Sequence, residues 1–273
     1  PLIGAELRYP FALATENATH YIEPIGQVIF AGSGGNGPGF INEDSVLVEF
    51  DETNLFETSR FPGEDRFEPG FRANLGIRYE RVTDDGLSLG VLVGQVYRFD
   101  ADPVFSSGTG LTGTTSDFVA SLTVAYPPHL KLVNRALFDE TLAFTRNETL
   151  LEIDYGPATV ETSFVRLEED IVQGADEDRM EVSMRAGYQV TPNWGVTGFF
   201  RHDFESQNFV RAGGGLTYAT DCAEIDLAVS RRFTASENAP PSTSVGLVVR
   251  LPGFGTGNTQ ARAEASRCRP RVN

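Results

Sequence analysis

The sequence predicts an all-β fold, an antiparallel transmembrane β-barrel of about thirteen strands. Three observations carry that expectation. The first is strict alternation. In the run 180–190, Met180, Val182, Met184, Ala186, Tyr188 and Val190 fall on one side of an extended strand, with Glu181, Ser183, Arg185, Gly187 and Gln189 on the other. A helix would place Glu181 and Arg185 among the apolar groups. The second is recurrence: segments of about ten residues repeat this pattern, with short turns alternating with longer loops. The third is the position of the aromatics. Tyr9, Tyr79, Tyr126, Tyr155, Tyr188, Trp194, Phe204, Tyr218 and Phe233 stand near strand ends, where interfacial girdles sit. A soluble β-sandwich also alternates, but it uses shorter strands around a core shared by two sheets.

Taken in order, residues 3–11 and 20–31 read as opening strands. Pro24 removes a ladder donor from the second and points to an edge, a bulge or a strained seam. Residues 32–66 form a long irregular insertion, of the size that has a task or folds as a lid. Phe71, Ala73, Leu75, Ile77 and Tyr79 then alternate with Arg72, Asn74, Gly76, Arg78 and Glu80. Asp84-Asp85-Gly86 signals a turn into a strand reaching Phe99. After the loop 100–114 come strands at 118–126 and 129–139, separated by Pro127-Pro128. Strands 147–155 and 159–169 flank Gly156-Pro157, and an acidic loop, 168–179, precedes the run 180–190. Strands at 194–204, 209–218, 222–233 and 244–251 complete the set, and 252–273 reads as a tail.

Composition bounds the function. A net charge of −16 over 273 residues argues against nucleic acid as a partner. No window approaches the ~18 consecutive apolar residues of a membrane-spanning helix, a test to which barrels are blind. Pro1 opens within a plausible strand, with no initiator Met and no apolar leader, so the expectation is that a signal, or more than a signal, has been removed. Cys222 and Cys268 fit one disulfide in an oxidising compartment, with a pair of free thiols as the alternative. Zinc is not expected, since no C-x-x-C spacing exists.

Other motifs read as structure. Gly32-x-Gly34-x-x-Gly37 and Gly108-x-Gly110-x-x-Gly113 match a dinucleotide fingerprint in letters, but neither leads into a helix that would hold a pyrophosphate. His20, His129 and His202 are the only candidate bases for a hydrolase. His202 comes nearest, though no serine stands beside it. Glu168, Glu169, Asp170, Asp176, Glu177 and Asp178 offer oxygen ligands for a hard cation without the spacing of an EF-hand, so a solvated acidic loop is expected. Asn17 and Asn147 open sequons that matter only in a glycosylating host. No cofactor and no enzymatic activity are expected.

A series of short stretches carries a family likeness: Ala5-Glu-Leu-Arg-Tyr-Pro10, Glu23-Pro24 with Gln27, Asn42-Glu-Asp-Ser45, Glu49-Phe-Asp-Glu52, Asn54-Leu-Phe56 and Ser59-Arg-Phe-Pro-Gly-Glu-Asp-Arg66. Gly94-Gln-Val-Tyr-Arg-Phe99, Asn134-Arg135, Phe138-Asp139, Leu216-Thr-Tyr218, Asp221-Cys222, Asp226-Leu227, Arg231-Arg232-Phe233 and Gly253-Phe-Gly255 continue it. In this order the set resembles the C-terminal barrel region of the lipopolysaccharide-assembly outer-membrane protein family (LptD), in its alphaproteobacterial form. The resemblance implies a larger barrel in the outer membrane of a Gram-negative bacterium, of which this chain is the C-terminal half. Such a barrel receives lipopolysaccharide from a periplasmic bridge protein, encloses an LptE-like lipoprotein plug, and releases lipid into the surrounding outer-membrane lipid through a seam.

It implies further that the last strand is one lip of that seam, with Val245, Leu247, Val249 and Leu251 on one face. Cys222 matches a barrel cysteine of the family, and the pairing stays open between Cys268 and an upstream partner. Arg72, Arg78, Arg185 and Arg211 lie on polar faces and are candidates for contacts to sugar phosphates or to the plug. An odd strand count agrees with a partial barrel, because an open sheet leaves edges that a bilayer does not tolerate. The alternatives are a self-contained porin-like barrel of roughly 12 or 14 strands and an outer-membrane hydrolase using His202.

Overall fold

In the computed structural model the described residues are 2–32, 48–61, 63, 67–100, 105, 107–171, 177–220, 222–235 and 240–251. They form β1 (Leu2–Arg8), β2 (Phe11–Ala14), β3 (Ala18–Ala31), β4 (Gly70–Thr83), β5 (Ser88–Arg98), β6 (Phe118–Tyr126) and β7 (Leu130–Phe138). β8 (Phe144–Tyr155), β9 (Ala158–Leu167), β10 (Arg179–Gln189), β11 (Trp194–Asp203), β12 (Asn208–Ala219), β13 (Glu224–Arg232) and β14 (Ser242–Arg250) follow. A three-residue 3-10 turn, Ser107–Thr109, lies between β5 and β6. The expected all-β antiparallel fold is therefore what the chain adopts.

The strands make one 14-stranded sheet ordered β1-β3-β4-β5-β6-β7-β8-β9-β10-β11-β12-β13-β14, with β2 off this path and paired to β3. β1 and β2 are two pieces of one edge position: Arg8 faces Ile25 and Phe11 faces Ile22, with a break at Tyr9-Pro10. Pro24 lies opposite the break, and its carbonyl accepts from the Tyr9 N–H at 3.3 Å. In an antiparallel strand a residue's N–H and C=O point to the same neighbour. The donor that Pro24 lacks would thus have faced the place where the ladder is interrupted.

The chain packs as two compact units, Pro1–Leu151 with Phe164–Met180, and Glu152–Ser163 with Glu181–Asn273. In the first, register carries each face across the strands. Ala5, Val28, Ala73 and Tyr97 stand in one row, and Pro24, Ile77, Val93, Ala120 and Ala136 in another. This apolar face is bare: Leu7 is 71% exposed and Ile77 50%. The buried core lies on the other, polar face. There Val48, Phe50, Leu55 and Phe61 pack on Leu92, Val96, Val119 and Leu137. A sandwich would bury the apolar face beneath a second sheet; here the segment 48–61 covers the polar one.

In the second unit, Met184, Phe200 and Ala212 share the apolar face, as do Tyr188, Val196, Leu216, Leu227 and Leu247. Trp194 and Tyr218 stand directly opposite on that face, ring centroids 4.7 Å apart. Arg185, Phe199, Gly213 and Ser230 form one row of the polar face.

Candidate functional site

The polar face of the first unit is built around the segment 48–69. Gly76 on β4 and Gly94 on β5 face each other and leave a notch in the wall. A Cβ at Gly76 would come within 2.9 Å of the Phe56 ring, and one at Gly94 within 2.4 Å of a Leu55 methyl. Strand glycines mark such close approaches, because any side chain would hold the incoming group away. Asn54 bridges the base of the segment, where its amide accepts from the Asp51 N–H at 3.1 Å.

Beside the notch runs a polar row, Glu6, Gln27 and Asn74, with Val96 at its end. Gln27 donates to Glu6 at 2.8 Å and to the Phe56 carbonyl at 2.8 Å, and accepts from Asn74 at 2.6 Å. The segment is further tied by charge. Glu68 is buried between Arg60 and Arg98, the latter 2.9 Å away, and Arg72 donates to the carbonyls of Thr58 and Glu68. Arg60 also donates to the Leu55 carbonyl at 2.7 Å, and Arg98 to that of Leu111 at 3.1 Å. Glu52 meets Arg135 at 2.7 Å and Glu49 meets Arg146 at 3.5 Å.

Burial by itself would raise the Glu68 carboxyl, but Arg60, then Arg72 and Arg98, override it and bring it down to about 2. Burial lowers the Arg60 guanidinium, with Glu68 opposing. A carboxyl depressed in the folded state adds stability that is complete above its ordinary value and lost as pH falls through its folded value. The segment should therefore keep its amide-exchange protection below pH 4.5 and lose it only as pH nears about 2. Loss of protection over residues 48–61 already at pH 4.5 would show that Glu68 is not held by its arginines.

The second unit has a different polar wall. Phe199 lies over Gly213, where a Cβ would come within 2.6 Å of the ring. Arg185 and Arg211 stack on Phe199, their guanidinium carbons 5.3 and 5.4 Å from the ring centroid. Arg201, Arg211 and Arg232 stand side by side across β11, β12 and β13. Arg201 pairs with Glu181, and Arg232 donates to the Pro240 carbonyl at 2.9 Å. A cleft of about 440 Å³ opens here, lined by these arginines with Glu161, Ser163 and Ser183.

The residues singled out from sequence fall into distinct places. Arg72 is buried and holds the segment, whereas Arg78 stands 3.5 Å from Glu23 at the rim of a second cleft. Arg185 and Arg211 share the cleft of the second unit. Val245, Leu247 and Val249 lie on the apolar face of β14 opposite Val229, Leu227 and Ile225, and Leu251 follows the strand's end. Cys222 sits in the turn between β12 and β13, and Cys268 lies outside the described residues. His20 bonds Tyr79 at 2.9 Å, and His202 packs between Phe204 and Phe209 on the apolar face. His129 lies in the turn after β6, 6.1 Å from the Tyr126 ring.

Of the acidic loop, Asp170 is buried and Asp178 accepts from the Glu169 N–H at 2.9 Å, while Asp176 lies outside the described residues. Gly34 and Gly37 lie outside them too, and Gly110 and Gly113 are turn residues with positive φ. Among the described residues no group of three or more His, Cys, Asp or Glu is placed to hold a metal. Glu68, Arg60, Arg98, Phe199, Arg201 and Arg232 are absent from the sequence-derived candidates. The signal for the notch was present in Gly76 and Gly94, two strand glycines on the polar side.

Some of the stretches carrying the family likeness come together in the first unit. Glu6, Gln27, Leu55, Phe56, Arg60, Gly94 and Arg98 all meet at the seated segment. Comparison with known proteins agrees. The model of the LptD family, described as LPS transport system D, matches residues 1–194. An LPS-assembly protein LptD of Nitrosomonas eutropha is 25% identical over 219 residues, covering 77% of this chain and 28% of that protein. One of Haemophilus influenzae (strain 86-028NP) is 22% identical over 242 residues, covering 80% of this chain and 30% of that protein. One of Sodalis glossinidius is 23% identical over 219 residues, with 73% and 28% covered. The chain thus spans less than a third of the length of these relatives. With its family model matched over residues 1–194, most of its length, the chain belongs to the LptD family.

Proposed function

We propose that this chain is part of the wall of an outer-membrane barrel that inserts lipopolysaccharide into the outer leaflet of a Gram-negative bacterium. The observation that carries the reading is the inverted sheet: its apolar face is bare and its polar face is arginine-rich and partly covered by its own chain. A bare apolar face of this extent is stable against acyl chains rather than water. The activity is transport without covalent chemistry. In this reading β14 is one lip of a lateral seam, with Val245, Leu247, Val249 and Leu251 toward lipid. Arg72 and Arg78 belong to the part of the lumen wall that carries the seated segment, and Arg185 and Arg211 to the part open to sugar phosphates or an LptE-like lipoprotein plug. A periplasmic bridge protein delivers the lipid. Cys222 forms a disulfide with Cys268 or with a cysteine upstream.

The test is depletion of the protein that carries this chain. Newly made, radiolabelled lipopolysaccharide should stop reaching reagents that cannot cross the outer membrane, while uptake of small hydrophilic solutes stays unchanged. Undiminished surface lipopolysaccharide together with reduced solute uptake would replace this reading with that of a diffusion porin.

A further inference from the structure

The apolar face of the first unit is interrupted at one place. Across β3 to β7 one of its rows reads Ile22, Tyr79, Val91, Leu122 and then Asn134. Asn134 is the middle residue of β7, and a strand of that length just crosses the hydrocarbon layer, so its amide stands near the centre of the layer. β8 continues the interruption. Arg146 reaches Glu49 of the seated segment and so faces the polar side, which turns Asn147 and Thr149 to the apolar side beside Asn134.

These three side chains answer one another only in part. The Asn134 amide nitrogen donates to Thr149 Oγ1 at 2.8 Å, and to Asn147 Oδ1 and the Glu148 carbonyl at 3.3 Å each. Two groups are left over. Among the described residues no donor reaches Asn134 Oδ1, and the Asn147 amide nitrogen has no acceptor. An acceptor and a donor thus lie side by side in hydrocarbon, where a polar group without a partner is costly. Acyl chains carry no hydrogen-bonding group at that depth; another protein surface does.

The leftover set is complementary to itself. A twofold axis along the bilayer normal moves a residue sideways without changing its depth. A second copy therefore presents its own Asn134 and Asn147 at the level where they are needed. Asn147 of each copy then donates to Asn134 of the other, the reciprocal pattern of an isologous contact. Beside Asn134 on the same face, Ala136 stands opposite Ala120, and small side chains let two membrane-embedded surfaces approach closely.

We propose that this chain pairs with a second copy of itself within the membrane, through Asn134, Asn147 and Thr149 on the β7–β8 surface. The proposal rests on the placement of the apolar face in lipid made above, and not on what the barrel transports.

The experiment puts a photo-crosslinking residue at Leu132, the next position of β7 on the same face, in the full protein in living cells. Irradiation should give a product of twice the protein's mass whose joined peptides both come from this protein. The same probe at Val229, on the apolar face of β13, should not. Copies carrying two different tags should co-purify from outer membranes in mild detergent. Asn134→Leu combined with Asn147→Leu should lower the co-purified fraction about tenfold, through loss of two reciprocal hydrogen bonds. Asn147→Leu alone removes the free donor, should act in the same direction, and serves if the double variant fails to fold. Crosslinks to other proteins only, equal self-crosslinking at Val229, or co-purification unchanged in the leucine variants would overturn the proposal. With the protein recovered in outer membranes, those results leave the transport reading standing; recovery in the soluble fraction would overturn both.

Discussion

Replacing Glu68 by Ala should release residues 48–61 from the wall. Glu68 pairs with Arg60 and Arg98 and lies close to Arg72, and all four residues are buried. Removing one partner of a buried ionic cluster leaves charges that neither water nor protein answers, at a cost of about 3–5 kcal/mol. Against that loss stand the apolar contacts of Val48, Phe50, Leu55 and Phe61, the bond from Gln27 to the Phe56 carbonyl, and the pairs Glu52–Arg135 and Glu49–Arg146. Rapid amide exchange and new protease cleavage within 48–61, with the strand ladders still protected, is the expected result. Glu68→Gln keeps an acceptor without the charge and should give a smaller change in the same direction. An unchanged exchange pattern in Glu68→Ala would mean that the apolar packing and these other ties hold the segment without the cluster.

The second large effect is expected at Gly94. Changing it to Val places a Cβ 2.4 Å from Leu55 Cδ2 and 2.6 Å from the carbonyl oxygen of Leu75. The first conflict a side chain can relieve by moving; the second involves the neighbouring strand's backbone. Overpacking costs about 1–3 kcal/mol where side chains yield, and the backbone contact puts this site at or above the upper end. Gly90 on the same strand is the control: a Cβ there meets nothing closer than Thr123 at 3.9 Å, so Gly90→Ala should be nearly neutral. Combining Gly94→Val with Leu55→Ala should recover only part of the loss, measured as heat-induced unfolding of the detergent-solubilised protein. Full recovery would show that the strand carbonyl is not in conflict.

Alternation made the two faces legible from sequence. Met184 and Arg185, or Ile77 and Arg78, fall on opposite faces because a strand has a period of two and nothing else sets the side. The path of thirteen strand positions followed from the same rule, although the opening position proved to be split at Tyr9-Pro10. What alternation does not encode is which distant segment covers which face. Leu55 reaches Gly94, and Glu68 reaches Arg98, across loops whose residues carry no period. For that reason Arg72 read as a lumen contact while its real neighbours, the carbonyls of Thr58 and Glu68, stayed hidden. The adjacent pair Phe199 and Phe200 held a further clue, since one of two consecutive aromatics in a strand must face the polar side.

Trp194 is the single tryptophan among these 273 residues. It stands at the start of β11 on the apolar face, against Tyr218. The second unit therefore contains an intrinsic optical reporter, and the first unit, with no indole, is silent at the same wavelengths. Brominated acyl chains quench an indole only on contact. Emission from this chain thus records the arrival of one unit's rim at a given depth of the bilayer, separately from whatever the seated segment of the other unit is doing.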